Sequence, residues 1–353
     1  MGRRRLTTSV LLAARSPAWR VRAQALLARQ PAIRLLEVAR DPQRLLQLCT
    51  SQAPDVILIG VEMLGEVPDL LRRLRARAPV PVLLLAGSPG DPALLAGLEE
   101  GAADFLVLSR REPGGPEERE LAALLKQVSA RGLAAASAPI RAPRYPTPPP
   151  GRPDRPAAGP RLVVIGASTG GPRAVQTVLE ALPAELDAAI VVAIHLPPRF
   201  TPLYVERLAR VCRLGVEEGS DDRALQVGRA YVLPGGTQGR LERRGDELRL
   251  RLAPRRRSEL HAPSVDHVMR SAAAAAGAAA VGVILTGMGD DGAQGLLAIR
   301  SAGGYTVAES EQTALIFGMP GGAIRAGAAA GILPLEEIPA ALMQRCGARR
   351  IRR

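Results

Sequence analysis

Between residues 139 and 160, nine of twenty-two positions are proline, interleaved with arginine and small residues. Each proline locks φ and removes a backbone donor, so neither a helix nor a central strand can run through such a stretch. No single core can therefore thread the middle of the chain, and the segment reads as an extended, polyproline-like tether. The chain has 353 residues, so each flank is long enough to bury a core of its own. The expected organisation is a domain over 7–132, a Pro/Arg-rich linker over 133–160 and a second domain over 161–348.

Both flanks alternate short apolar runs with helical patterns. Before the tether, strands are expected over 9–12, 35–38, 55–59, 80–85 and 105–108, with helices over 18–29, 42–52, 69–77, 92–100 and 117–131. After it, strands are expected over 162–165, 188–194, 229–233, 280–285 and 306–308, with a hairpin over 241–252 broken at Gly245-Asp246. Helices are expected there over 172–182, 201–212, 263–276, 293–302 and 338–346. This alternation predicts the α/β class: two doubly wound domains, each built on a parallel sheet.

Three of the apolar runs in the second half end in polar residues. The run RLVVI breaks at Gly166-Ala167-Ser168-Thr169-Gly170, the next ends at His195, and VGVIL ends in Thr286-Gly287-Met288-Gly289-Asp290-Asp291-Gly292. In an open α/β sheet the carboxyl ends of the strands form the ligand-binding edge, so these groups converge by architecture. A serine on a strand–turn–helix corner stands beside backbone N–H groups that can hold an anion. Serine needs a base to act as nucleophile, imidazole can take its proton near neutral pH, and an aspartate behind the imidazole orients it. The residues alone leave alternatives open. The glycine turn could bind phosphate or simply close a βα unit, although no Lys-Ser/Thr follows it. His195 could be a packed structural histidine. Either Asp290 or Asp291 could act, or cap a helix. Of the other histidines, His261 in the loop LHAPSVD could line the site, and His267 falls within a helix.

Composition narrows the partners. Aromatics are only 2% of residues, so the cores must be Leu, Val, Ile and Ala. The net charge of +13 is almost all arginine, Lys126 being the single lysine. The arginines are scattered without stacking aromatics or a helix-turn-helix, so no nucleic-acid partner is expected. No apolar run has membrane-spanning length and no apolar signal core opens the chain, so a cytoplasmic protein without membrane insertion is expected. Cys49, Cys212 and Cys346 are odd in number and in no ligand spacing, which predicts reduced thiols and no metal site.

The segments GASTGGPRAV, AIHLPPRFTPLYVERL, VGRAYVLPGG, HAPSVD, VGVILTGMGDDGAQGLLAIR and FGMPGGAI, in this order and spacing, closely resemble the catalytic domain of the chemotaxis receptor methylesterases (protein-glutamate methylesterase/glutaminase). The resemblance covers about 161–346. It departs from the family pattern at Ile194, before the histidine, and at Gly236. It implies a nucleophile at Ser168, a histidine base at His195 and an orienting aspartate at Asp291, with Asp290 in a variable position. It further implies demethylation of glutamyl γ-methyl esters on chemoreceptor cytoplasmic helices, and deamidation of glutamines by the same machinery. Oxyanion donors are expected among backbone N–H groups, with Thr169 and Met288 as candidates. No cofactor is expected.

The first half, through APDVILIGVEM, PVPVLLLAGS and LEEGAADFLVLS, resembles a response-regulator receiver domain. Receivers require acids after the first strand, an aspartate after the third and a lysine after the fifth. Here Ala14 and Arg15 replace the acid pair, Gly60 occupies the phosphoacceptor position, and Ala86 and Leu108 replace the hydroxyl and the lysine. Asp55 lies at the wrong end of the sheet, and Glu62 is the only nearby carboxylate. A hard dication needs oxygen ligands, so a receiver fold without phosphorylation chemistry is expected. Such a domain would serve as a docking or regulatory surface for a chemosensory kinase or adaptor. The competing expectation is a catalytically silent chemosensory scaffold.

Overall fold

The computed structural model describes residues 7–65, 69–78, 80–108, 125 and 161–347. The chain divides into two compact units, residues 1–142 and 143–353. The tether expected over 133–160 lies outside the described residues, as does the helix expected over 117–131 apart from Leu125.

The N-terminal unit is a five-stranded parallel sheet: β1 Thr8–Ala13, β2 Ile33–Ala39, β3 Val56–Gly60, β4 Val82–Ala86 and β5 Asp104–Val107. The order β2-β1-β3-β4-β5 is a doubly wound arrangement. Helices α1 Pro17–Ala28, α2 Pro42–Gln52, α3 Leu70–Arg77 and α4 Pro92–Glu99 connect the strands. Ser16, Asp41 and Asp91 cap α1, α2 and α4 with their side chains, each followed by a proline that needs no N–H partner. The central strands are buried on both faces, which is why Val10–Leu12, Ile57–Ile59 and Leu83–Leu85 read as unbroken apolar runs.

At the acceptor corner of this unit, Glu62 folds back over Gly60. Its Oε1 accepts from the backbone N–H groups of Arg15 (3.1 Å) and Ser16 (3.3 Å). A Cβ on Gly60 would lie 2.4–2.7 Å from the Glu62 carboxylate, so any side chain there must displace it. Asp55 is engaged at the opposite end, accepting from the N–H and Oγ of Ser9.

The C-terminal unit carries a seven-stranded sheet and a three-stranded one. Its elements are β6 Arg161–Ala167, α5 Gly171–Glu180, β7 Ala188–Ile194, α6 Thr201–Val211, β8 Gly215–Glu218, β9 Arg223–Ala224 and β10 Arg229–Val232. There follow β11 Thr237–Arg244, β12 Glu247–Pro254, α7 Val265–Ala276, β13 Ala280–Ile284 and α8 Ala293–Ser301. The unit ends with β14 Tyr305–Glu309, α9 Gly318–Arg325, β15 Gly331–Leu333 and α10 Ile338–Cys346. The large sheet runs β15-β14-β13-β6-β7-β10-β8, and every pairing in it is parallel. β6, the first strand, is central: the chain winds outward to β7 on one side and later returns to β13 on the other. That reversal makes the carboxyl ends of β13, β6 and β7 the topological switch point.

Three short strands, β8, β9 and β15, and the helix α9 have no periodic signature in the sequence; they form because neighbours supply their partners. The hairpin is longer than expected, β11 beginning at Thr237, and β9 adds to it antiparallel. Around it arginines are held in ion pairs, including Arg223–Glu217, Arg249–Asp222 and Arg251–Asp221. Cys49 and Cys346 are buried, Cys212 is half-buried, and all three are free thiols. Burial raises the Cys212 and Cys346 thiols to about 11.

Candidate active site

Ser168, His195 and Asp291 follow β6, β7 and β13, three adjacent strands, and the fold brings them into one line. The Ser168 Oγ lies 3.1 Å from His195 Nδ1, and His195 Nε2 lies 2.9 Å from Asp291 Oδ2. With the carboxylate accepting at Nε2, the proton sits on that nitrogen and Nδ1 is left unprotonated, facing serine and able to accept its proton. The side chains of His195 and Asp291 are 14% and 8% exposed, so the pair works largely out of water.

Each member is held from behind. Ser168 sits where β6 gives way to the turn before α5, and its N–H donates to the Thr286 carbonyl (3.0 Å). Thr286 Oγ1 donates to the Thr169 carbonyl (2.9 Å) and accepts from the Ile316 N–H (2.9 Å). The Thr286 N–H in turn donates to the fully buried Glu309 (2.8 Å). Gly287 follows, and a Cβ there would come within 2.9 Å of the Ser168 Cβ and 2.2 Å of the Met319 sulfur, so only glycine lets this loop approach the serine. His195 leads into Leu196-Pro197-Pro198; Thr201 Oγ1 donates to the Pro197 carbonyl (3.4 Å) and accepts from the Gly235 N–H (3.0 Å).

The Asp291 carboxylate, largely covered, sits at the N-terminus of α7. It accepts from Ser264 Oγ (3.1 Å), the Val265 N–H (2.8 Å) and the Asp266 N–H (2.9 Å), besides His195. Burial pushes its carboxyl up, but the bonds from His195, Asp266 and Val265 outweigh this and hold it at about 2. It thus caps a helix other than the one that follows it, and the dipole of α7 favours its negative charge. Asp290 is exposed, and among the described residues its carboxylate makes no hydrogen bond to His195.

The Ser168 N–H is committed to the Thr286 carbonyl and so does not serve as an oxyanion donor. Among the described residues neither the Thr169 nor the Met288 N–H has an acceptor, and each lies on a loop that bears a member of the line. Sequence reasoning passed over Thr286, Glu309 and Ser264. A polar residue directly after an apolar strand was the available signal for Thr286; Glu309 and Ser264 gave none, since their partners lie 23 and 27 residues away. His261, left open by the sequence, stacks on His195. His267 is exposed on α7. Among the described residues no group of three His, Cys, Asp or Glu is placed to hold a metal, and no helix is long and apolar enough to cross a membrane.

The fold and this line of residues define an α/β protein with a serine, histidine and aspartate at the switch point of a parallel sheet. The CheB methylesterase family model matches residues 163–342. The protein-glutamate methylesterase/protein-glutamine glutaminase of Chromohalobacter salexigens is 40% identical over 330 residues, covering 90% of each chain. A protein of the same description from Pseudomonas aeruginosa is 39% identical over 331 residues, covering 90% of this chain and 91% of that one. The crystal structure of the Thermotoga maritima CheB methylesterase catalytic domain is 35% identical, with a TM-score of 0.51, and covers 53% of this chain and 98% of its own. The chain belongs to the CheB methylesterase family, whose members are hydrolases.

Proposed function

We propose that this protein is a cytoplasmic serine hydrolase that removes methyl groups from glutamyl γ-methyl esters on the cytoplasmic helices of chemoreceptors. The observation that supports it most is the His195 ring spanning Ser168 and Asp291 at 3.1 and 2.9 Å. Ser168 Oγ attacks the ester carbonyl while His195 Nδ1 takes its proton. The imidazolium so formed is stabilised by Asp291 at Nε2. The Thr169 and Met288 N–H groups receive the oxyanion, one such donor being worth about 10²–10³ in rate. Collapse expels methanol, protonated from Nδ1, and leaves an acyl-serine. Water then attacks with His195 again as base, releasing glutamate. An amide side chain follows the same course with ammonia as leaving group, which gives deamidation of glutamine. No step requires a metal or organic cofactor.

The N-terminal unit has the receiver layout without its chemistry, so control by aspartyl phosphorylation is absent. Gly60 has no carboxylate to phosphorylate, and Glu62 fills the space above it. Ala14, Arg15, Ala86 and Leu108 supply neither metal ligands nor a sensor of a phosphoryl group. Its role is to dock a chemosensory kinase or adaptor. Incubating the protein with receptor bearing labelled methyl esters should release methanol, and Ser168→Ala should abolish the release. Methanol release that persists in Ser168→Ala refutes the assignment.

A further inference from the structure

The loop between β12 and α7 touches both partners of Ser168. Ser264 Oγ and the α7 N-terminus bind Asp291. Three residues earlier, His261 lies flat on His195, the ring centroids 4.2 Å apart and the planes 3° from parallel. The placement is specified from behind by β11. Buried Gln238 donates from Nε2 to the His261 carbonyl (2.6 Å) and accepts at Oε1 from the Ser264 N–H (2.9 Å). The Gly236 N–H adds a bond to the Ala262 carbonyl (2.8 Å). One glutamine thus sets the spacing between the residue that stacks on the histidine and the residue that caps the aspartate.

His195 can face Ser168 and Asp291 together only if its ring keeps one plane, and a parallel ring on its face restricts that plane. The stack also has a charge preference. In the proposed reaction His195 becomes an imidazolium, which the π-face of a neutral imidazole attracts, whereas a second imidazolium at this distance repels it. We propose that His261 is a positioning residue for His195: neutral, it holds the ring in plane and favours its imidazolium; protonated, it opposes that charge and shuts the site down on the acid side. This rests on the reading of His195 as base.

The groups facing His261 are His195 across the stack, Asp291 and Asp290 on the loop after β13, and Arg255 on its own loop. Partial desolvation of the stacked ring first, then His195 and Arg255, push the His261 imidazole down; Asp291 and Asp290 pull it up, and the net direction is down. The neutral form of His261 is therefore favoured near neutral pH. Its residue surface remains open to solvent, so it exchanges protons directly with the medium.

Three replacements separate the two roles. His261→Phe keeps a flat ring without a proton, His261→Arg keeps a flat group with a fixed charge, and His261→Ala removes both. Methanol release from methylated receptor would be followed from pH 5 to 8, with NMR titration of the imidazole resonances in the same proteins. Only three histidines are present, so the spectra assign readily. His261→Ala should lower kcat by about two- to thirtyfold with KM little changed, the range of a cation–π contact. His261→Phe should restore kcat near neutral pH and make the acid limb shallower by one proton. His261→Arg should depress kcat at every pH and move the His195 titration to lower pH. Equal kcat in all three variants and wild type overturns the inference. So does a loss shared alike by all three while the His195 resonance titrates as in wild type, the mark of a merely structural residue. The NMR titrations read the stack without turnover, whereas turnover that survives Ser168→Ala strikes at the reaction itself, so the two failures are distinguishable.

Discussion

Replacing Asp291 with asparagine tests the site at its most constrained point. The carboxylate accepts four hydrogen bonds, from His195 Nε2, Ser264 Oγ and the N–H groups of Val265 and Asp266. Asparagine has one oxygen and one NH₂ in their place. An NH₂ at the Oδ2 position would face the Val265 N–H and force His195 to carry its proton on Nδ1, disarming the base. At the Oδ1 position it faces the Asp266 N–H, while Ser264 can turn to accept; this orientation costs less and keeps the His195 tautomer. One buried backbone donor is still stranded, a destabilisation of about 1–3 kcal/mol. The catalytic loss comes from the missing charge. At the observed 2.9 Å, a unit pair in an effective dielectric near 20 interacts by about 5–6 kcal/mol. That sets a ceiling of roughly 10⁴ on the fall in kcat, and the neutral hydrogen bond that remains makes about 10³ the expected figure. Stability should show the same residue at low pH. Asp291 is held at about 2, below its unfolded value, so its contribution is complete above about pH 4 and is lost as pH falls toward 2. In Asp291→Asn that part of the pH dependence should vanish. Methanol release at neutral pH and thermal unfolding from pH 2 to 6 measure both. A kcat within tenfold of wild type, or a larger loss from Asp290→Asn than from Asp291→Asn, would refute the reasoning.

Ser168→Ala and His195→Ala should each remove nearly all turnover, and the double variant should lose little more, since groups acting as a unit are non-additive at losses on the order of 10⁶; an additive double variant in single-turnover assays would mean that they do not cooperate. Residues 161–353 expressed alone should fold and retain Ser168-dependent labelling by a fluorophosphonate probe, because both sheets of that unit and all three residues lie within it; insoluble or unlabelled protein would show that the halves share a core. Acetyl phosphate or beryllofluoride with Mg²⁺ should leave methanol release by the full chain unchanged, and a reproducible several-fold rise, lost in Glu62→Gln, would reveal an acceptor at that corner.

Much of the architecture is legible in one dimension because burial on both faces leaves a mark there. Parallel strands covered by helices must be apolar throughout, so Leu162–Ile165, Ala188–Ile194 and Ala280–Ile284 stand out without any structure. The caps are local too: Ser16, Asp41 and Asp91 act on N–H groups two or three residues away. β8, β9, β15 and α9 are invisible by the same logic, since each exists through partners distant in the chain. Ser168, His195 and the Asp290-Asp291 pair stood out as candidates because switch-point residues follow strands, and the motif resemblance favoured Asp291 of the two aspartates.

Features that depend on neighbours along the chain are therefore readable in one dimension: two α/β units, most of the strands, and the polar residues at their carboxyl ends. Packing in three dimensions fixes which nitrogen of His195 faces the serine, that Asp291 rests on the N-terminus of α7, that Thr286 takes the Ser168 N–H, and that His261 covers the histidine. Those contacts join residues between 25 and 118 positions apart. Hydrogen bonds and ring stacking act over a few ångströms, and such distances between remote residues are fixed only when the sheet closes and its loops pack.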